Sequence, residues 1–251
     1  MLVSQRKRLL IAALKRDGQL VAKALSAQFG VSEDTIRRDL RELAQEGLLL
    51  RVHGGALPSS PAVAAFSVRS GIEPDGKKAI ARAAAKMIKP GQIVILDGGT
   101  TAVQLARQLP HDLNATVVTH SPSVAVELIG HSGVDVILIG GRLFKHSMVA
   151  VGAAALETIG AIRADLFFMG VTGVHAVAGL STGDLDEAHV KRAFMRQSAE
   201  TVVLASSEKI GAASAYRIAD VRAASAVVVE RATPAGLTRP LARLGVRIIR
   251  A

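Results

Sequence analysis

Residues 31–56, VSEDTIRRDLRELAQEGLLLRVHGGA, decide the reading of this chain. Ser32 is a good N-cap residue, and it stands directly before a strongly periodic run. Ile36, Leu40 and Leu43 fall on one face of the predicted helix, with Arg37, Arg38, Arg41 and Glu42 elsewhere. Gly47 suits its C-terminal stop. Leu48 to Val52 is too short for another helix and fits a strand of a hairpin with its tip at His53-Gly54-Gly55. A helix that shows an Arg pair, followed by a short strand and a basic turn, has the order of a recognition helix and a β-wing. That combination is a device for gripping DNA.

Two further helical patterns precede it. Ser4 could cap a helix running to about Arg16, with Leu9, Leu10, Ala13 and Leu14 on one face and Asp17-Gly18 as the end. A second runs from about Val21 to Phe29 and stops at Gly30. Three helices with a sharp Gly-containing turn between the last two make a helix-turn-helix. The candidate DNA contacts are Ser32, Thr35, Arg37, Arg38 and Arg41 on the helix, with Arg51 and His53 on the wing. Arginine reads guanine through O6 and N7, whereas Ser and Thr hydroxyls suit phosphates.

Composition agrees but does not localise the function. The formal net charge of +10 makes a polyanionic partner plausible. Residues 1–57 hold 10 Lys/Arg and 6 Asp/Glu, so the excess is spread along the chain. Aromatics are only 3%, which argues against single-strand binding by base stacking. There is no Cys, which excludes disulfides, thiolate chemistry and zinc fingers. The N-terminus lacks the continuous apolar stretch of a signal peptide or membrane helix, so a cytoplasmic location is expected. No metal site and no cofactor are expected.

Residues 57–75 carry three Pro, several Ser and no clear period, the signature of a linker. The chain then divides into a DNA-binding head (1–57), a linker (58–75) and a larger domain (76–251). Beyond Lys77, helical and buried-strand patterns alternate. Helices are predicted at 77–88, 101–109, 121–129, 152–162 and 186–199. Strands are predicted at 93–96, 115–119, 134–139, 166–169, 201–204, 226–229 and 246–249, with a short helical turn at 240–244. Apolar runs separated by amphipathic helices imply an α/β domain with a largely parallel sheet covered on both faces.

Asp97-Gly98-Gly99-Thr100-Thr101 lies between a predicted strand and a predicted helix. Glycines allow close backbone approach, threonines add hydroxyls, and the helix start adds free N–H groups. This describes a phosphate cradle, although neither a Walker loop nor Gly-x-Gly-x-x-Gly is present. Other strand ends should converge on the same sheet edge. They bring Thr119-His120-Ser121, Gly140-Gly141 and Gly170 to Gly173, with Glu187 and Lys191 on a later helix and Lys209 after a strand.

The head closely resembles the DeoR family of bacterial repressors, whose pattern V-S-x-x-T-[IV]-R-R-D-L followed by R-x-H-G-G-A is met by Val31-Ser32, Thr35 to Leu40 and Arg51 to Ala56. The resemblance continues through Phe66-x-x-Arg69, Leu96 to Thr101, Thr119-x-Ser121, Gly140-Gly141, Gly170-x-x-Gly173, Glu187-Ala188-x-Val190-Lys191-Arg192-Ala193 and Lys209-x-Gly211. It implies a winged helix-turn-helix followed by a Rossmann-like sensor domain that shares its fold with ribose-5-phosphate isomerase and binds sugar phosphates. The chain departs from the pattern at three places. His120 stands where the family has Asn, and Leu204-Ala205-Ser206-Ser207-Glu208-Lys209 replaces Leu-Ala-Asp-x-[Ser/Thr]-Lys. Val228-Val229-Glu230 replaces Ile-Thr-Asp. The phosphate side of the site is thus expected to persist while the side that reads the sugar differs.

Three functions fit these residues. The first is a repressor whose operator affinity responds to a phosphorylated sugar or related anion, acting as a dimer or tetramer. The second is a sugar-phosphate isomerase carrying a DNA-binding domain. It would need a general base, with Asp97, Asp184, Asp186 and Glu187 as candidates by type. The third, an architectural DNA binder that ignores ligands, leaves the cradle without a purpose. The first is the expectation carried forward, and it assigns no catalytic residue.

Overall fold

The computed structural model of the chain describes residues 1–60, 62 and 64–251. The head is built from helices Val3–Asp17, Ala22–Phe29 and Glu33–Gln45, followed by a hairpin of strands Leu49–Val52 and Gly55–Pro58. Its core packs Leu10, Leu14, Leu25, Ile36, Leu40 and Leu43 from the helices with Leu49 from the hairpin, whereas Leu9, expected on the apolar face of the first helix, is exposed. Ser32 caps the third helix, its side chain accepting from the Thr35 N–H at 3.2 Å.

Three details of the head were not predicted. Val52 and Gly55 are register partners, so the wing turns at His53-Gly54 and Gly55 already belongs to the return strand. Leu20–Val21 forms a third strand beside it, with Leu20 opposite Ala56 and Val21 opposite Gly55. Any Cβ on Gly55 would overlap the Leu20 carbonyl, so the second glycine of the pair serves close packing rather than the turn. Asp39 lies on the buried face of the recognition helix, where it pairs with Arg6 of the first helix through Nε to Oδ2 and Nη2 to Oδ1 (3.0 Å).

The larger domain holds a seven-stranded sheet in the order Ile248–Arg250, Ala226–Val229, Ser198–Leu204, Ala164–Gly170, Ile93–Leu96, Ala115–Thr119, Val134–Leu138. Every pairing in it is parallel. Both faces are covered. Ile95, Phe167, Met169, Val203 and Val227 pack on one side, and Val94, Leu96, Phe168, Val202 and Val228 on the other. Burial on both faces is why these strands read as unbroken apolar runs.

The predicted strands at 93–96, 115–119 and 226–229 match the observed bounds, and the others shift by one to three residues. The predicted turn at 240–244 is the end of a helix, Ala235–Arg243, that runs through Pro240. Two small antiparallel sheets were not predicted. One pairs Arg142–Phe144 with Val149–Val151, and the other joins Gly173–His175, Gly179–Thr182 and Tyr216–Ala219. Their strands are three or four residues long, too short to show a period.

Residues 58–75 are more ordered than their composition suggests. Phe66–Ser70 forms a short helix, its first N–H donating to the His146 carbonyl at 2.9 Å, and Pro74 opens the helix Pro74–Ala85. Pro61 and Val63, also within the predicted linker, lie outside the described residues. Among the described residues no helix is long and apolar enough to cross a membrane.

Candidate functional site

On the head, the recognition helix presents Arg37, Arg38 and Arg41 to solvent, and the wing presents Arg51 and His53. Arg37 is folded back along its own helix, with Nη2 2.7 Å from Glu33 Oε2 and Nη1 3.5 Å from Asp34 Oδ1. Exposed pairs of this kind contribute at most about 1 kcal/mol, so a base edge or phosphate can replace the carboxylates. Ser32 Oγ and Thr35 Oγ1 lie 2.9 Å apart at the helix start, beside the free N–H groups of the first turn.

The second site lies at the C-terminal ends of the sheet strands, where the central strand Ile93–Leu96 runs through Asp97-Gly98-Gly99 into the helix Thr100–Arg107. Gly99, at φ 104°, caps that helix. This region of φ is strained for any residue with a Cβ, and the first N–H groups of a helix have no partner within it. The cavity is lined by Gly98, Gly99, Thr100, Thr101, Gly170, Glu187, Lys191 and Lys209 from the predicted set. It is also lined by Thr172 and Glu208, from stretches placed at this edge, and by Arg69, Lys77, Ser147 and Thr182, which were not predicted as site residues.

Asp97 lies beneath this floor, fully buried, and holds it together. Its Oδ1 accepts from the Gly98 N–H at 2.8 Å and its Oδ2 from the Gly170 N–H at 2.9 Å. Lys191 Nζ donates to Oδ2, and His120 Nε2 lies 2.9 Å from Oδ1. Burial alone would push the Asp97 carboxyl up. The Lys191 ammonium and the His120 bond outweigh that burial and hold it well below the usual carboxylate range. Asp97 is therefore occupied by four partners as a positioning group. The other carboxylates considered as a base are also committed. Asp184 caps the helix Leu185–Gln197, Asp186 pairs with Arg142 at 2.5 Å, and Glu187 accepts from Thr182 Oγ1 at 3.2 Å.

Two cations keep donors to spare. Arg69 reaches over the cradle, 3.8 Å from where a Cβ on Gly99 would stand. Its Nη2 donates to Ser147 Oγ at 3.3 Å, and its buried Nε has no partner. Lys209 is 7% exposed, and its ammonium has no hydrogen-bond partner among the described residues. Burial pushes its pKa down to about 8, although Glu208 beside it acts in the opposite direction. Lys77 is also buried, which lowers its pKa, but its ammonium is spent on the carbonyls of Ile72 and Arg69 (2.5 Å to the latter).

Besides Asp97 beneath the floor, six predicted ligand residues do not line the cavity. Thr119, His120 and Ser121 end a strand that is overlain by the hairpin Arg142–Phe144/Val149–Val151. The Ala150 N–H donates to the His120 carbonyl at 2.7 Å, His120 Nδ1 lies 2.8 Å from the Ala150 carbonyl, and Ser121 Oγ donates to the Met148 carbonyl at 3.0 Å. Val149 presses on Gly98, where a Cβ would overlap it. Gly140 and Gly141 make the turn into the same hairpin, and a Cβ on Gly141 would lie 2.8 Å from the Val151 carbonyl. Gly173 packs against Ala212, whose carbonyl would lie 2.6 Å from its Cβ.

The residues missed had weak but real signals. Lys77 stands at helical spacing with Ile80, Ala81 and Ala84 on the buried stripe of its helix, an expensive place for a lysine. Arg69 belongs to the quoted Phe66-x-x-Arg69 pattern but fell within the predicted linker.

Comparison with known proteins agrees with this geometry. A family model described as the DeoR-like helix-turn-helix domain matches residues 6–61, and one described as the DeoR C-terminal sensor domain matches residues 72–231. The chain is 31% identical over 239 residues to the glycerol-3-phosphate regulon repressor of Escherichia coli strain K12, covering 95% of each. It is 32% identical over 251 residues to the HTH-type transcriptional regulator GlpR of Haloferax volcanii, covering 99% of this chain and 98% of that one. Among solved structures, ribose 5-phosphate isomerase A from Methanocaldococcus jannaschii aligns with a TM-score of 0.41 at 19% identity, over 54% of each chain. With a matching head, a matching sensor and relatives of the same length and order, the chain belongs to the DeoR family of DNA-binding transcriptional regulators.

Proposed function

We propose that this protein is a repressor of carbohydrate-metabolism genes whose operator affinity is set by a phosphorylated sugar, or a related anion, in the sensor cavity. The observation that carries this reading is the pair Arg69 and Lys209. Lys209 is buried and Arg69 half-buried with a buried, unpartnered Nε, and both line the same cavity as the start of the helix Thr100–Arg107. Buried charge without a partner is costly, and an anion on the helix N-terminus would relieve both groups at once. The relatives' names support the repressor part of the reading.

A route from cavity to head supports the ligand response. The wing's return strand ends at Pro58, whose carbonyl accepts from the Ala213 N–H at 3.1 Å, four residues beyond Lys209. Ser60 Oγ donates to the carbonyl of Thr172, which lines the cavity. The strand Gly173–His175 ends at His175, which lines a cleft together with Gly18 at the end of the first helix. Ligand that shifts Thr172 or the Lys209–Ala213 segment would therefore move the head, and its effect on DNA equals its differential affinity for the two placements.

Paired heads reading two half-sites are the usual source of specificity, so the protein would act as a dimer or tetramer. The exposed Val126, Ile129, Ile137 and Leu138, beside the open edge strand Val134–Leu138, offer an apolar seat for a second copy.

The test is a gel shift on the promoter beside the protein's own gene at moderate salt, with a panel of sugar phosphates. Arg37→Ala is expected to cost about 1–3 kcal/mol on the preferred site and to relax base preference, whereas Arg51→Ala weakens binding uniformly. Absence of sequence-preferential binding by the wild type would overturn the repressor reading.

The cavity itself predicts a pH dependence. Anion binding requires Lys209 as the ammonium, which the free protein loses as pH rises through about 8. Affinity for inorganic phosphate, measured by calorimetry from pH 7 to 9.5, is expected to fall by up to about tenfold per unit above that point. Lys209→Arg keeps its charge throughout and should show no such fall. A wild-type affinity that stays level to pH 9.5 would remove Lys209 from the anion site.

A further inference from the structure

Glu208 poses a problem that the anion alone makes worse. Its Oε1 accepts from Ser206 Oγ at 2.6 Å, but its Oε2 is buried without any hydrogen-bond partner and its side chain lines the same cavity. Such an acceptor is expensive, and native structures keep one where something outside the fold completes it. The acid has also moved. Where the family pattern has Asp and Ser/Thr, this chain has Ser206 and Glu208, so the carboxylate stands directly beside Lys209.

The positive groups that act on Glu208 are Lys209 and Lys77. Lys77 gives two of its three N–H groups to carbonyls, and Lys209 is the cation an incoming phosphate would take. Asp97 and Lys191 neutralise one another beneath the floor. That leaves Arg69, Lys77 and Lys209 against Glu187 and Glu208, an excess of one positive charge around the cavity. A phosphate of nearly two negative charges overshoots this balance and places a second anion beside Glu208. A sugar hydroxyl could satisfy the hydrogen bond of Oε2 but not the charge. An ammonium group satisfies both, through a charge-assisted bond.

We infer that the effector is a phosphorylated amine of the amino-sugar phosphate class, its phosphate held by Arg69, Lys209 and the helix start and its ammonium by Glu208. This rests on the anion-binding reading of the same cavity. It makes Glu208 the residue that determines specificity.

The test is isothermal titration of the full chain at pH 7 with inorganic phosphate, glucose 6-phosphate and glucosamine 6-phosphate, a sugar pair that differs by hydroxyl against amine. The wild type is expected to bind glucosamine 6-phosphate at least about tenfold more tightly than glucose 6-phosphate, a difference of about 1.4 kcal/mol. Glu208→Gln, which keeps the shape, should bring the two within about twofold while inorganic phosphate still binds. The exchange Ser206→Asp with Glu208→Ser should do the same, which guards against a folding defect in the single variant. Binding of inorganic phosphate without preference for the amine, or a preference that survives Glu208→Gln, overturns the inference and leaves the anion cavity standing. If the wild type binds none of the three compounds, the anion-binding reading falls and this one falls with it.

Discussion

Asp39→Ala is expected to unfold the head and abolish operator binding in a chain whose sensor stays folded. Asp39 is 2% exposed and makes two bonds to Arg6, which is itself buried. Removing one partner of a buried ion pair strands the other, at a cost of about 3–5 kcal/mol. The head is small, and domains of its size have little stability in reserve. The pair also joins the first helix to the recognition helix, so its loss frees the element that carries Arg37 and Arg38. Hydrogen exchange read by mass spectrometry would show the outcome. Protection should vanish over 3–17 and 33–45 and persist over the sheet strands 93–96 and 164–170. A companion variant, Arg6→Met with Asp39→Leu, removes both charges and should recover much of the protection, because apolar side chains of similar volume commonly replace such pairs. If Asp39→Ala kept full protection and operator affinity, the pair would be dispensable.

Asp97→Asn should have an effect of similar size on the sensor, with a different signature. The amide keeps the volume but cannot accept from Gly98, Gly170, Lys191 and His120 together, since one of its two polar ends donates. Lys191, 4% exposed, would be left as a buried charge without its counterion. A loss of about 3–5 kcal/mol is expected, with the Gly98–Thr101 turn released from the sheet and phosphate binding abolished. The pH dependence follows from the direction of the shift. The folded-state pKa of Asp97 lies below its unfolded value, so its stabilisation is complete above the ordinary carboxylate pKa of about 3.9 and is lost as pH falls toward the folded-state value. Calorimetric melting between pH 7 and 3 should therefore show the wild type losing its advantage over Asp97→Asn only at the acid end. A gap between the two that stays constant across this range would mean that the carboxylate's charge is not what stabilises the domain.

Much of this molecule was legible before any coordinates. The recognition helix, the parallel strands and the cradle are local patterns. Ser32 caps, Ile36-Leu40-Leu43 repeats, and a Gly-Gly-Thr-Thr turn joins an apolar strand to a helix. The predicted ligand residues that fall outside the cavity share one cause. Thr119, His120, Ser121, Gly140, Gly141 and Gly173 were placed at the ligand because strand ends of a parallel sheet usually converge there. A hairpin with strands of three residues covers that corner instead, and no period announces strands so short. Arg69 and Lys77 were missed because only the folded chain brings residues 69 and 77 against the cradle.

The amino-acid sequence by itself determined that this protein grips DNA through a winged head and that an α/β domain with a Gly-rich strand-to-helix turn follows it. Those properties follow from contiguous residues, whose spacing fixes helix, wing and turn without reference to the rest of the chain. Only the tertiary structure decided which charges are spent and which remain available. Asp97, Lys191 and Lys77 have partners, whereas the Arg69 Nε, the Lys209 ammonium and one oxygen of Glu208 lack a hydrogen bond among the described residues. Charge pairing depends on distance and burial between residues far apart in sequence, and those exist only once the sheet has brought them together.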